Sequence, residues 1–432
     1  MNNLAKVRMK NKKILIHSLV FSPDGVSTAY LYNDIALGFL QSGYEVVVLT
    51  TTPHYNRVPE DMAAQPMEKQ WAGLYYKSNF KGIPVYHVPQ KKYPSFLARV
   101  VGFVYWHMVS LLLGLFQKNV SLILSPSPPL TIGLISILLG KMKGAKVVYN
   151  VQEIYPDFLI NQGNLRSGIL IQILKRLETT VYHYADAVTT IDQIFYNTIV
   201  DRFTEKKKLS IIPNFVDTDI YQPLNKSAYS LDREIFPSRD SLKLMYAGNI
   251  GHAQDWEPLL WIARRFKTAP IEFWVIGEGV LKEQLQEEML RDGLNNIHLL
   301  PYQARSGMAS VIAYADLHFI FMNPQMEGQG FPSKVYTIMA CGKPLLVLSG
   351  TNTPITNFLK DKKTAFLITH QDQDARIGAL EKLIQELLLD RSVLGEMGEK
   401  GCAEIEEHFS KKAVVAQYIS LANQLIKEDR HG

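Results

Sequence analysis

Apolar and polar positions along this chain fall into two separate cycles of short apolar runs and helical stripes. In the first cycle the runs at residues 14–19, 44–51, 85–88, 122–125, 146–151 and 187–191 predict strands. Between the first two, residues 28–41 place Tyr32, Ile35, Ala36, Phe39 and Leu40 at i, i+3, i+4, i+7 and i+8, one buried face of a helix. Further helices are predicted over 96–116, 130–139 and 169–185, and from the strand after that to about Phe203. Residues 52–82 are polar and irregular and read as a long loop, which in a compact domain is more often functional than accidental.

Residues 205–239 interrupt this cycle with a charge run and a polar stretch, so the boundary between two domains is predicted near 205–215. The second cycle then opens. Strands are predicted at 242–247, 271–276, 297–300, 317–322, 345–348 and 365–368, with helices at 256–266, 281–290, 376–389 and 393–409. A last amphipathic helix covers 411–426. Repeated strand–helix alternation predicts an α/β fold with doubly wound parallel sheets. The glycine loops at Gly248 to Gly251 and Gly277 to Gly279 both follow strand ends, as does residue 327 onward. In such a sheet these loops gather at one edge, where ligands bind.

The stretch 327–344, EGQGFPSKVYTIMACGKP, carries the most specific chemistry. Gly328, Gln329 and Gly330 form a flexible turn, Ser333 is placed as a helix N-cap, and Gly342 as a stop. Lys334 falls in the first helical turn, where its charge opposes the helix dipole but adds to an anion site, phosphate being the obvious anion. In the first cycle, Glu153 and Asp157 lie just past a strand end and are candidates for contact with a polar substrate.

Composition narrows the class. With 432 residues, 47% apolar and 20% charged, the chain is globular and long enough for two cores. A net charge of +5 admits anionic ligands or an anionic membrane surface and does not point to nucleic acid. The two cysteines, Cys341 and Cys402, exclude a disulfide framework and fit a reducing, cytoplasmic setting. The basic first 13 residues lead directly into a strand without an apolar core, so no signal peptide is predicted. Residues 96–116 are long enough to span a bilayer, but Arg99, His107 and the flanking α/β pattern oppose spanning. A largely buried helix with partial membrane contact is expected. Lys91, Lys92 and Lys118 at its ends, with Tyr105 and Trp106, suit an interface.

Other motifs are weak or missing. The glycine after the first strand, Gly25, lacks the remainder of a dinucleotide fingerprint, as does Gly277-Glu278-Gly279, so a nicotinamide cofactor is not indicated. Asp217-Thr218-Asp219 has the spacing of a metal motif but reads as turn and cap residues. No HExxH, P-loop, GxSxG or CxxC occurs.

Taken together, the Gly25 turn, TTPHYN at 51–56, VQEIYPD at 151–157, IPNFVDTDIYQP at 212–223, YAGNIGHAQ at 246–254, VIGEG at 275–279, LPYQ at 300–303 and FPSKVYTIMACGKPLL at 331–346 resemble a known order of motifs. It is that of the retaining GT-B glycosyltransferases of family 4, the group 1 type, in the branch that builds bacterial O-antigen, capsule and colanic-acid-like polysaccharides. The resemblance implies two Rossmann-like domains facing across a cleft. Residues 1–208 would bind the acceptor, 209–409 the nucleotide-sugar, and 410–432 would cross back to the first domain.

The resemblance further implies donor contacts from Gly25, Gly248, Asn249, Gly251, Gln254, Gly277, Gly279, Tyr302, Gln329, Gly330, Phe331, Ser333 and Thr337, and acceptor contacts from His54 and Tyr55. Lys334, Glu153 and Asp157 would carry catalysis, with no metal and no cofactor beyond the donor. Gln329 and Thr337 stand where the family has two glutamates, Asn249 and Gln254 where it has a basic pair, and Gln152 where many members have a histidine. The activity implied is hexosyl or N-acetylhexosaminyl transfer from a nucleoside diphosphate sugar to a glycan, lipid-linked, on the inner face of the cytoplasmic membrane. A nucleotide-sugar epimerase on the same fold, or a non-catalytic scaffold of a polysaccharide assembly complex, are the alternatives.

Overall fold

Strand β1 (Lys13–His17) starts a sheet whose chain runs outward in two directions from the centre. The structure, a computed structural model, describes residues 12–91, 95–161, 165, 167–225, 231–327, 331–370 and 372–428. From β1 the chain passes through the helix Ser27–Gln41 to β2 (Glu45–Thr51), then to β3 (Glu68–Gln70), β4 (Tyr75–Phe80) and β5 (Ile83–Val88). It returns to the other side of β1 for β6 (Val120–Pro126), β7 (Lys146–Val151), β8 (Ala187–Thr190) and β9 (Leu209–Ile211). The strand order is β3-β4-β5-β2-β1-β6-β7-β8-β9.

The second sheet repeats this plan. It holds β10 (Leu242–Ala247), β11 (Ile271–Ile276), β12 (Ile297–Leu300), β13 (Leu317–Phe321), β14 (Leu345–Leu348) and β15 (Ala365–Ile368) in the order β12-β11-β10-β13-β14-β15, all parallel. Its strands read as near-continuous apolar runs because helices cover both faces. Two compact units result, one ending at Asn214 and resuming at Val414, the other spanning Phe215–Ala413. β9 pairs with β8 in the first sheet, so the break falls after Asn214 and not at residue 208. Helix Lys411–Glu428 belongs to the first unit from Val414 onward. There Val415 faces Gly38, where any side chain would collide with it, and Asn423 accepts a bond from the Tyr44 hydroxyl at 2.5 Å.

The expected loop at 52–82 is folded. It contains the helix Pro59–Ala64 and an antiparallel β3-β4-β5 edge on an otherwise parallel sheet. Lys81 and Gly82 both have positive φ, 50° and 93°, the requirement of a two-residue type I′ hairpin turn. Lysine is an uncommon first residue there, and the flanking strands are polar on their open face. Both features hid the hairpin from the hydrophobic pattern.

Helix Phe96–Phe116 is present over its predicted length, but its orientation corrects the sequence reading of Trp106. Trp106 is fully buried against His17, with ring centroids 5.5 Å apart, and lies away from any interface. Tyr105 stays partly exposed and donates to the Leu74 carbonyl at 3.1 Å.

A buried polar network ties the first unit together at the carboxyl ends of β7 and β8. Asn150 is fully buried. Its amide oxygen accepts from the Tyr32 hydroxyl at 2.6 Å and Gln152 Nε2 at 2.7 Å, and its Nδ2 donates to Thr189 Oγ1 at 2.8 Å. Gln152 in turn exchanges two 3.0 Å bonds with the amide of Asn214, the last residue of the unit's first segment. Tyr418 joins through Thr189. Replacing Asn150 with Ala strands several of these groups without water, so we expect a loss of about 3 kcal/mol, read as a lower urea midpoint.

Candidate functional site

In the second unit the chain diverges between β10 and β13, which are neighbours although two strands, β11 and β12, separate them in sequence. The loops that follow these two strands therefore flank a topological switch point. The loop after β10 holds Gly248, Asn249 and Gly251. The one after β13 leads to the helix Lys334–Ala340. Gly328, Gln329 and Gly330 lie outside the described residues.

The glycines at the switch point answer to close approach. A Cβ at Gly277 would overlap the Gly248 carbonyl, and one at Gly248 would overlap Lys334 Nζ. The two loops are also stitched by backbone bonds. Gly248 N donates to Ile276 O at 2.9 Å and Ile250 N to Glu278 O at 2.8 Å. Those two amides are thus unavailable to a ligand, which corrects the expectation that the whole 248–251 run would donate. Asn249 and Gly251 amides have no backbone acceptor among the described residues.

Lys334 is the centre of this group. Its ammonium lies 3.7 Å from the centroid of the Tyr246 ring, a cation–π contact. No carboxylate pairs with it among the described residues. Burial lowers its pKa from the ordinary 10.5 to about 7. Tyr302 stands nearby, exposed, with its hydroxyl 3.5 Å from Glu278 O, beside the Gly277 to Gly279 loop. The expectation for Lys334 thus keeps its place but changes its surroundings. Helix Lys334–Ala340 has seven residues, so its dipole is short and the positive charge resides mainly on the lysine.

Other predicted donor residues take structural positions. Ser333 has helical angles and makes no capping bond, whereas Gly342 closes the helix with φ 66° as expected. Phe331 packs on Tyr336 and Phe358, with centroids 5.1 and 5.0 Å away, and so completes an aromatic cluster of the unit. Gln254 is buried and bridges to Met322, holding the loop after β10 to the end of β13. Its Oε1 has no partner among the described residues. Thr337 is part-buried on the short helix.

In the first unit the Gly25 turn meets the 51–56 segment. Asp24 accepts from the amides of His54, Tyr55 and Asn56 at 3.0, 3.1 and 2.7 Å, and Gly25 N donates to Asn56 O at 2.8 Å. Gly25 is thus spent on shaping the loop that presents His54 and Tyr55, and its expected donor contact is not visible within this unit. Glu153 lies close enough to Tyr55 and Tyr155 to influence both phenols. Burial raises its own carboxyl pKa, opposed by a bond from Tyr155. Asp157 does not join them. It is ion-paired to Arg202, which also holds the buried Glu178 at 2.6 Å. That pairing fixes the loop and leaves Asp157 a structural role.

A cavity of about 540 Å³ adjoins this loop, lined by Thr52, Pro53, Arg57, Met62, Met67 and Tyr76 among others. It exists because residues 52–82 fold, so the sequence pattern had no means of showing it. Asp24 and Tyr246 were likewise missed: one reads as a turn residue, the other as a strand residue, and only their partners reveal them. Asp217 and Asp219 both face Lys411, at 2.6 and 3.5 Å, in keeping with an anchoring role. Among the described residues no three His, Cys, Asp or Glu side chains gather as a metal site.

Two family models match in succession. The model described as Glycosyltransferase Family 4 covers residues 29–220, and Glycosyl transferases group 1 covers 241–386. The chain is 24% identical over 351 residues to WcaI of Escherichia coli K12, named for glycosyl transfer in colanic acid biosynthesis, covering 79% of this chain and 84% of that one. It is 23% identical over 319 residues to WbjE of Pseudomonas aeruginosa, named a glycosyltransferase, covering 71% and 76%. The Anabaena protein Alr3699/HepE, solved with UDP, superposes with a TM-score of 0.68 at 15% identity, over 95% of this chain and all of that one. The epimerase and scaffold alternatives have no such support, and the chain belongs to the group 1, family 4 glycosyltransferases of GT-B fold.

Proposed function

We propose that this enzyme transfers a sugar, with retention, from a nucleoside diphosphate sugar to a lipid-linked glycan during bacterial surface polysaccharide synthesis. The observation that carries the reading is the Lys334 ammonium: unpaired by any described carboxylate, lying on Tyr246, and abutting Gly248, where a side chain would collide with it. A diphosphate supplies the charge such a group lacks. The names of WcaI and WbjE and the UDP complex of HepE support the same chemistry.

In this reading Lys334 neutralises the leaving diphosphate as the glycosidic bond breaks. The free amides of Asn249 and Gly251 assist, and Tyr302 contacts the donor. The departing phosphate oxygen takes the acceptor hydroxyl proton, so no strong protein base and no metal are required. Glu153 and Tyr55 orient the acceptor, part of which occupies the cavity beside Arg57. Its place is the inner face of the cytoplasmic membrane.

Lys334→Ala should lower turnover about 100-fold or more at unchanged fold. Near-normal turnover would remove the lysine from the mechanism. Lys334→Met should abolish transfer yet raise the melting temperature, because an incompletely compensated ammonium no longer has to be buried.

The pH dependence has a definite sign. With a folded pKa near 7 and an ordinary value of 10.5, the unfolded chain holds more protons between these limits. Stability from this group therefore rises with pH across that window. Diphosphate binding selects the protonated form, so UDP affinity should fall as pH rises above about 7. Calorimetry at pH 8 in buffers of different ionisation enthalpy should show proton uptake, and none would place the ammonium away from UDP.

A further inference from the structure

Three helices of the first unit present an apolar face that nothing among the described residues covers. They are Phe96–Phe116, Thr131–Lys143 and Gly168–Tyr184. They pack side by side: a side chain at Gly114 would collide with Leu139, and one at Gly133 with Val181. On the first helix Val101 is 62% exposed, Met108 68% and Phe116 59%. The face continues through Leu138 and Met142 on the second helix and Ile169 and Ile173 on the third.

The first helix is apolar on both sides, unlike a soluble surface helix. Its buried side carries Trp106, Val109 and Leu113 together with His107 and Ser110, and its exposed side carries Val101, Val104, Met108 and Leu112. Burial lowers the His107 pKa to about 4 and keeps the ring neutral, and its Nε2 meets Thr131 Oγ1 at 2.8 Å. A helix facing water would carry polar residues on its outer side. The window Ala98–Phe116 is apolar and long enough to cross a bilayer, but 39% of it is buried on the protein, too much for a free span and too little for a core helix.

Charge identifies what covers this face. The three helices hold Arg99, Lys141, Lys143, Lys175 and Arg176 but one acidic residue, Glu178, which is buried and paired. The chain as a whole is nearly balanced, with 46 basic and 41 acidic residues. Aromatic groups border the apolar area. Trp71 meets Phe116 edge-on at 5.8 Å, and Lys141 lies 4.0 Å over the exposed ring of Tyr184. Aliphatic centre, amphipathic aromatic border and acid-free basic surroundings are the composition that an anionic bilayer surface selects.

We infer that this three-helix face is a monotopic docking surface for an anionic lipid bilayer, with Val101 and Met108 entering the acyl boundary and Lys141 and Arg176 meeting the headgroups. It deepens the membrane part of the function proposed above and is independent of the transfer chemistry. The test is flotation of the full chain with vesicles of phosphatidylcholine alone or mixed two to one with phosphatidylglycerol. The chain should float with the anionic vesicles and lose this with added salt. Val101→Glu with Met108→Glu should abolish flotation, and Lys141→Ala with Arg176→Ala should weaken partitioning about 30-fold, each at unchanged melting temperature.

A second readout spares the helix from substitution: Trp71 fluorescence should shift to the blue on vesicle addition, and Trp71→Phe should remove the shift. Failure to float with anionic vesicles, equal flotation of the variants, or a concentration-dependent dimer dissolved by Met108→Glu would overturn the assignment. UDP binding, measured separately, reports on the donor reading alone.

Discussion

The site in the second unit depends on one topological constraint, the divergence of the chain on either side of β10. Right-handed crossovers carry β11 and β12 to one side and β13 to β15 to the other, so only the loops after β10 and β13 border the gap between. The backbone bonds from Gly248 to Ile276 and from Ile250 to Glu278 then draw the β11 loop against the β10 loop. No Cβ fits between them at Gly277, so the motif that resembles half of a dinucleotide fingerprint is a packing requirement of this junction.

Into that junction the fold introduces a lysine at an energetic disadvantage. A desolvated ammonium lowers stability unless something compensates it, and Tyr246 does so only in part. In the proposed function an anionic ligand completes the compensation. On that proposal binding and stability are linked at this residue, the charge that makes the free protein less stable being the one that would draw the diphosphate.

The first unit solves a different problem. Its polar network joins the fully buried Asn150 to the partly buried Gln152 and Asn214 by mutual bonds, and it fixes the strand ends from which Glu153 and Tyr155 extend. Asp24 does the same for His54 and Tyr55 by accepting three successive amides. On the outer helices, by contrast, aliphatic side chains are exposed on one side as well as buried on the other. Buried polar groups and exposed aliphatic ones are both costly in water; the network bonds offset the first cost, and the inferred lipid contact would offset the second.

Much of this was legible in the chain itself. Strands such as 146–151, 242–247 and 271–276 and the helix 96–116 matched their apolar patterns, because regular periodicity is a local property. Lys334 and the glycine loops were likewise visible, since a charged residue between breakers is unusual wherever it falls. What tertiary structure alone decided was partnership. The hairpin through Lys81 and Gly82 depends on pairing along a sheet edge, and the diversion of Asp157 to Arg202 depends on a residue 45 positions away. The inward turn of Trp106 and His107 depends on what each side of the helix packs against. A hydrophobic pattern records that a residue will be buried or exposed on average; which neighbour satisfies it is set by long-range geometry, and function follows from those neighbours.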